Sequence, residues 1–541
     1  MKATGFSVAV RLMLVMALLV FGAPGMVQAM DQDDLLKKID SLSKELDNLK
    51  KQMQDMQKKD AAKDERMAVV EKKADEAKEA TGPSWLEIGG DFRARYDYLS
   101  GKTHDAVLLN PQFNPSTPMG PTNMPVLSST GQTVKNDSLL TNRLGLNIKA
   151  KATEDIQVKA RLLMYKVWGH DTADAVTGNN SFFADKQSIF DGNVSHTPKD
   201  SILRVDQAYA TWSNIAGQPI WFSVGRRPST GGIPTNIRLN TEKVGTAGVP
   251  GLLVDYAFDG ATVGVAPDIS FLPGAYAKLC YGKGFDSGFR STSNSMVDVN
   301  FLGFNVVPYD TDNLHLEFQV SRGYNIFGSP ETSTVSFGPN LILNNDNLGD
   351  ITQYGTVVMG KLENLGPGDL NLFLSAAASH SSPNSHALGG SGGFPQFGLL
   401  WDSGTGEHSR TGYGAYLGAR YDIKSTGTKL GLEYNHGSKY WITFVPASDD
   451  MWTAKLGTRG NVYEAYVIQE LNKKPIAKRG KAFFRLGYQY YDFQYTGSNN
   501  WVGAPQKISD LSAMPSASTI PQFFPVLKHA QDVYLTFDVM F

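Results

Sequence analysis

The chain has 541 residues, including 54 glycines, 22 tyrosines and 28 phenylalanines, in a composition that is 41% hydrophobic. This mixture suits a large all-β body, and the balance of 51 basic against 53 acidic residues makes no case for a nucleic-acid partner. The sole cysteine, Cys280, excludes an internal disulfide framework, a lipid-anchored cysteine at a cleavage site and a Cys-x-x-Cys-His haem attachment.

Lys2 and Arg11 precede the apolar run from Leu12 to Phe21, which is short of the roughly 20 residues a helix needs to span a bilayer. Val27-Gln28-Ala29 then supplies small residues at the positions signal peptidase reads, so residues 1–29 form a signal peptide with cleavage after Ala29. From 31 to 80 the chain is rich in Lys, Asp, Glu, Gln and Ala and has neither proline nor glycine. With Ile39, Leu46, Met53, Met67 and Ala74 at heptad position a, position d holds Leu35, Leu42, Leu49, Met56, Val70 and Ala77, with Asp60 and Lys63 as the exceptions. Residues 30–80 are thus expected to form an α-helical coiled coil in the periplasm, reaching roughly 75 Å. The stalk either joins barrels to one another, a trimer being the common porin state, or extends toward a periplasmic or cell-wall partner. Gly82-Pro83 stops the helix.

From Trp85 onward the period is 2. Leu86, Ile88, Phe92, Ala94, Tyr96 and Tyr98 fall on one face, and Glu87, Asp91, Arg93, Arg95 and Asp97 on the other. The pattern returns at Leu144, Leu146 and Ile148 against Arg143, Asn147, Lys149 and Lys151. It returns again at Ile156, Val158, Ala160 and Leu162 against Gln157, Lys159 and Arg161. The short Thr153-Glu154-Asp155 segment makes these two strands a hairpin, and similar turns are expected at Asp259-Gly260, Gly366-Pro367-Gly368 and Ser425-Thr426-Gly427. Between them run long polar loops near 99–141, 169–201, 227–250, 267–295, 323–350, 380–410, 437–460 and 495–531. Short turns alternating with long loops are the grammar of an outer-membrane barrel. Residues 81–541 are therefore expected to form a closed antiparallel transmembrane β-barrel of about 16 strands, with 14 to 18 allowed because 267–295 could hide another hairpin.

The last segment places Val533, Leu535, Phe537, Val539 and Phe541 at every second position. Here the chain resembles bacterial outer-membrane proteins, whose final strand ends in an aromatic residue read by the barrel-assembly machinery. The resemblance implies that role for Phe541. The order of signal, heptad helix and a Gly-Asp-Phe-Arg-Ala-Arg-Tyr first strand at Gly90 to Tyr96, with Val224-Gly225-Arg226-Arg227-Pro228-Ser229 further on, is similar to a poorly characterised family of outer-membrane porins with N-terminal coiled coils, from anaerobic and metal-reducing bacteria. That family supplies an architecture and no site residues.

If the polar face lines a lumen, Arg93, Arg95, Arg143, Lys149, Lys151, Lys159 and Arg161 are pore-lining candidates, with Glu433 and Asp538 as an opposing acidic side. Arg226 and Arg227 precede a Gly- and Pro-rich loop that could fold inward to a constriction. No catalytic or metal motif emerges, since His380, His386 and His408 are widely and irregularly spaced. The expected function is passive diffusion of small hydrophilic solutes, with an anion bias, through a non-enzymatic, cofactor-free porin in outer-membrane lipid. The alternative is a structural barrel that tethers the envelope or sheaths an electron-transfer cytochrome.

Overall fold

The computed structural model describes residues 85–541 apart from parts of the loops, chiefly within 170–196, 229–249 and 329–345. The expected signal peptide at 1–29 and heptad helix at 30–80 lie outside the described residues. The strands are β1 (Leu86–Thr103), β2 (Thr133–Lys151), β3 (Ile156–Val167), β4 (Arg204–Trp212), β5 (Ile220–Arg226), β6 (Asp259–Val265), β7 (Tyr276–Phe285) and β8 (Val299–Asp310). They continue as β9 (Leu314–Phe327), β10 (Asn347–Leu365), β11 (Gly368–Pro383), β12 (Arg410–Ile423), β13 (Thr428–Gly437), β14 (Gly460–Glu470), β15 (Lys481–Phe493) and β16 (Leu527–Met540).

Each strand pairs antiparallel with its neighbours in sequence, and β1 pairs with β16, so the sheet closes into a sixteen-stranded barrel without an open edge. Closure gives every strand a partner on both sides, which a low-dielectric bilayer requires of backbone N–H and C=O groups. Beyond Met540 the pairing continues, as Gly90 N–H donates to the Phe541 carbonyl at 2.8 Å and Phe541 N–H to the Gly90 carbonyl at 3.0 Å.

Alternation sorts the side chains as a barrel demands. On β15 and β16, Phe484, Leu486, Tyr488, Val533 and Leu535 are exposed on the outside, while Arg485, Gln489, Asp532, Tyr534 and Thr536 are buried within. Along β1, exposed Phe92 and Tyr96 alternate with buried Arg93, Arg95 and Asp97. Among the described residues no helix is long and apolar enough to cross a membrane.

Two sequence expectations need correction. Asp259-Gly260 is not a turn: it opens β6, whose Asp259 pairs with Arg226 of β5. The 267–295 stretch is not one loop, because it contains β7, flanked by a turn at 266–275 and a loop at 286–298. The inward side of β7 carries Lys278, Gly282 and Gly284, which break the apolar/polar rhythm that marks a strand. The long loops consequently fall at 104–132, 168–203, 227–258, 286–298, 328–346, 384–409, 438–459 and 494–526, numbered 1 to 8 below, and all leave from one rim.

Loops 3 and 7 turn into the barrel. They bind each other through a parallel bridge between Val254 and Phe444, with Phe444 N–H donating to the Leu253 carbonyl and Asp255 N–H to the Phe444 carbonyl, each at 2.8 Å. Around this bridge lies an apolar cluster that includes Ile237, Leu253, Trp441, Phe444 and Trp501 from the loops and Phe301, Ile351 and Tyr416 from the wall. Phe190 of loop 2 sits within it, stacked on Trp501 at 5.0 Å between ring centroids. Glycines on the inner wall admit the loops this closely. A Cβ on Gly355 would lie 2.8 Å from Leu253, and one on Gly414 would lie 2.5 Å from Trp441.

Candidate functional site in the barrel interior

The inner wall of β1 to β4 carries the basic residues singled out from the sequence, and the fold supplies acids to most of them. Arg93 binds Asp449 of loop 7 with both terminal nitrogens, one at 2.6 Å, and Tyr165 of β3 donates to the same carboxylate at 3.1 Å. Arg95 reaches Asp97 at 2.7 Å and Asp532 of β16 at 3.0 Å. Arg161 lies 2.6 Å from Asp91 and 3.5 Å from Asp206, while Arg143 stands 3.9 Å from Asp91. Nearer the short-turn rim, Lys149 faces Glu87 at 3.4 Å, and Lys159 and Lys151 are set in register with Lys149 and Gln157. The candidates on these staves do share one wall, but Arg93 and Arg95 are locked to carboxylates while Arg143 and the lysines are more open.

Glu433, on β13, belongs to a second charge cluster. It accepts from Tyr416 at 2.6 Å, from Tyr466 at 3.2 Å and from Lys455 of loop 7 at 2.6 Å. Lys455 also donates to Glu464 at 2.7 Å, and Arg238 of loop 3 approaches Glu464 to 3.5 Å. Asp538 does not join this side: it pairs across the strand with Arg93, so it adds to the β1 cluster instead.

Arg226 and Arg227 sit at the root of loop 3 rather than at its tip. Arg226 lies 3.4 Å from Asp259 across the β5–β6 pair. Arg227 is buried, donating to Ser223 at 2.9 Å and to the Thr262 hydroxyl. From loop 3 it is Arg238, in the short helix Asn236–Leu239, that joins Lys455 in bringing positive charge to Glu464. That turn is held to the far wall: Arg420 donates to the Ile237 carbonyl, Arg485 to the Arg238 carbonyl at 2.8 Å and Lys481 to the Asn240 carbonyl at 2.8 Å. Backbone carbonyls at a short helix end are natural acceptors for such cations.

The loop carboxylates respond oppositely to burial. Burial alone would raise the Asp449 carboxyl, but Arg93, Arg143 and Arg95 outweigh it and hold the group well below the usual carboxylate range. Burial pushes the neighbouring Asp450 carboxyl up, with Arg238 and Lys455 offsetting it only in part. Asp449 is therefore a fixed anion between arginines.

Asp449, Asp450, Lys455, Arg238 and Glu464 were not singled out from the sequence. The signal was present in the apolar content of 440–456, where Tyr440, Trp441, Ile442, Phe444, Val445, Met451 and Trp452 stand too densely for a water-facing loop.

A family described as "Protein of unknown function (DUF3373)" matches residues 133–541. Among solved structures, the chain is similar to the OmpF of Salmonella typhi in complex with daunomycin, at 10% identity and TM-score 0.39, over 84% of this chain and 97% of that one. It is also similar to OmpT, an outer membrane protein of Vibrio cholerae in trimer form, at 10% identity and TM-score 0.37, over 84% of this chain and 99% of that one. No curated protein matches the chain.

Proposed function

The chain belongs to the DUF3373 family, whose function is unknown, and from its porin-like barrel we propose an outer-membrane porin that passes small hydrophilic solutes by diffusion, through an interior narrowed by loops 3 and 7. The observation that carries this reading is the ionised inner wall, where Arg161 stands between Asp91 and Asp206 behind a continuous apolar exterior. Such a surface is stable when it is wet. Purified protein in planar bilayers should give discrete conductance steps. Silence from both the wild type and a variant with loop 7 released would overturn the proposal.

The anion preference is part of the proposal in reduced form. Arg93 and Arg95 are bound by Asp449, Asp97 and Asp532 and contribute little to the field in the passage. Arg143, Lys149, Lys151, Lys159 and Arg161 remain, against Asp91, Asp206 and Glu87, and this excess acts within roughly 8–10 Å of the wall before salt screens it. A modest anion preference follows. Self-association into a trimer through residues 31–80 also belongs to the proposal, and sedimentation of the protein with and without that segment tests it. The inward placement of loops 3 and 7 favours this reading over the cytochrome-sheath alternative, because an enclosed protein would need the same space.

A further inference from the structure

At the long-loop rim, loops 6, 7 and 8, with Phe183 of loop 2, line a partly open cavity of about 120 Å3. Its lining residues include five aromatics, Phe397, Trp452, Phe493, Tyr495 and Phe523, together with Arg459. The size is close to the ~150 Å3 cavity known to accept benzene, so the space suits one ring.

Arg459 is 1% exposed, yet its recorded acceptors are all backbone carbonyls: Trp441 at 3.1 Å, Thr496 at 3.0 Å, Gly497 at 2.7 Å and Asn500 at 2.7 Å. These take four of the five guanidinium N–H groups, leaving one on Nη2 without an acceptor among the described residues. No carboxylate pairs with it among those residues. The contrast lies within the same interior, where Arg93 and Arg95 of β1, Arg238 of loop 3 and Lys455 of loop 7 each lie within 4 Å of at least one acid. A buried cation lacking a counter-charge is costly, and burial accordingly pushes the Arg459 guanidinium down to about 9. Asp402 also lines the cavity but does not supply the missing charge, because its Oδ1 accepts from Gly404 N–H, Thr405 N–H and the Thr405 hydroxyl.

We propose that this rim cavity is a binding site for a one-ring aromatic carboxylate, whose ring lies among the aromatic side chains and whose carboxylate meets Arg459. The site is separate from the β1–β4 wall of the diffusion path, so silent bilayers would leave it standing. The test is titration of the purified full-length protein with benzoate, followed by calorimetry and by tryptophan fluorescence, since Trp452 lines the cavity. Benzoate should bind saturably. Benzamide, which lacks the charge, and acetate, which lacks the ring, should bind at least about tenfold more weakly. Ala504 also lines the cavity, and Ala504→Phe should fill it and weaken benzoate binding by a similar factor while the barrel stays heat-modifiable. Arg459→Gln should do the same if it folds, and Ala504→Phe keeps the test decisive if it does not. Benzamide binding as tightly as benzoate, unchanged binding in Ala504→Phe, or no benzoate binding up to about 10 mM would overturn the assignment.

Discussion

Arg93 and Asp449 are 356 positions apart in sequence, yet they form a buried bidentate ion pair inside the barrel. Arg93 belongs to the first strand and Asp449 to loop 7, so one contact fastens an inward-folded loop to the wall. Removing one member of a buried pair costs about 3–5 kcal/mol, because the other charge is left without compensation. Asp449→Asn should therefore release loop 7, with larger or longer-lived conductance steps than wild type and new protease cleavage between 438 and 459. Identical conductance and cleavage in the variant would show that the ion pair does not hold the loop.

The pH dependence follows from the two neighbouring carboxyls. Asp449 is depressed when docked, so its contribution is present above its unfolded value of about 3.9 and is lost as pH falls through its lower docked value. Asp450 is raised, so its contribution runs the other way, being fully present in acid and lost as pH rises through its docked value. Loop 7 should thus stay docked at pH 5 at least as firmly as at pH 7 and be released only in stronger acid. Hydrogen exchange of 440–456 across this range checks the order, and release by pH 5 would contradict it.

The field in the passage is tested by charge reversal on the more open part of the wall. Replacing Lys149, Lys151, Lys159 and Arg161 together by glutamate should move the reversal potential in a salt gradient toward cation preference, in a barrel that still assembles. Arg161→Glu alone should disturb Asp91 and Asp206, its two carboxylate partners, and Asn147, which accepts from it at 2.8 Å, and shift selectivity less than the full set. An assembled quadruple variant with wild-type selectivity would leave those charges as wall solvation.

On the opposite face of β2, Leu146 pairs with Gly90 and stands on the same side as Phe92 and Leu144. An arginine there would face hydrocarbon and cost roughly 2–4 kcal/mol near mid-bilayer. Leu146→Arg should lower the yield of heat-modifiable barrel, whereas Asn147→Arg, one residue on, should be tolerated. Equal yields would mean the assigned parity of β2 is wrong.

The wall was readable from the sequence where one face is apolar and the other polar, as on β1, on the β2–β3 hairpin and on β16. The inward or outward facing of each side chain then followed, because side chains one residue apart leave opposite faces of a strand. Reading failed where the interior itself is apolar or glycine-rich. Phe301, Phe373 and Tyr416 point inward to meet the loops, and Gly282 and Gly284 sit on the inner side of β7. Period 2 is blurred at such positions. Asp259-Gly260 has the composition of a hairpin turn, but composition cannot reveal that the preceding loop has already returned the chain to the wall. Asp449, which binds Arg93, and Lys455, which binds Glu433, both come from loop 7, and alternation within strands carries no information about where loops go.

The junction of β1 with β16 is also where loop 7 is seated. Arg95 belongs to β1 and its partner Asp532 to β16, while Asp449 lies 3.8 Å from Arg95 and binds Arg93 beside it. The seat that receives loop 7 thus draws on the first strand and, through the Asp532 carboxylate that holds Arg95, on the last. Loop 7 rests on both sides of the seam, since Trp452 also donates to the Gln531 carbonyl of β16 at 3.1 Å, and parting the seam would take apart the seat together with the wall.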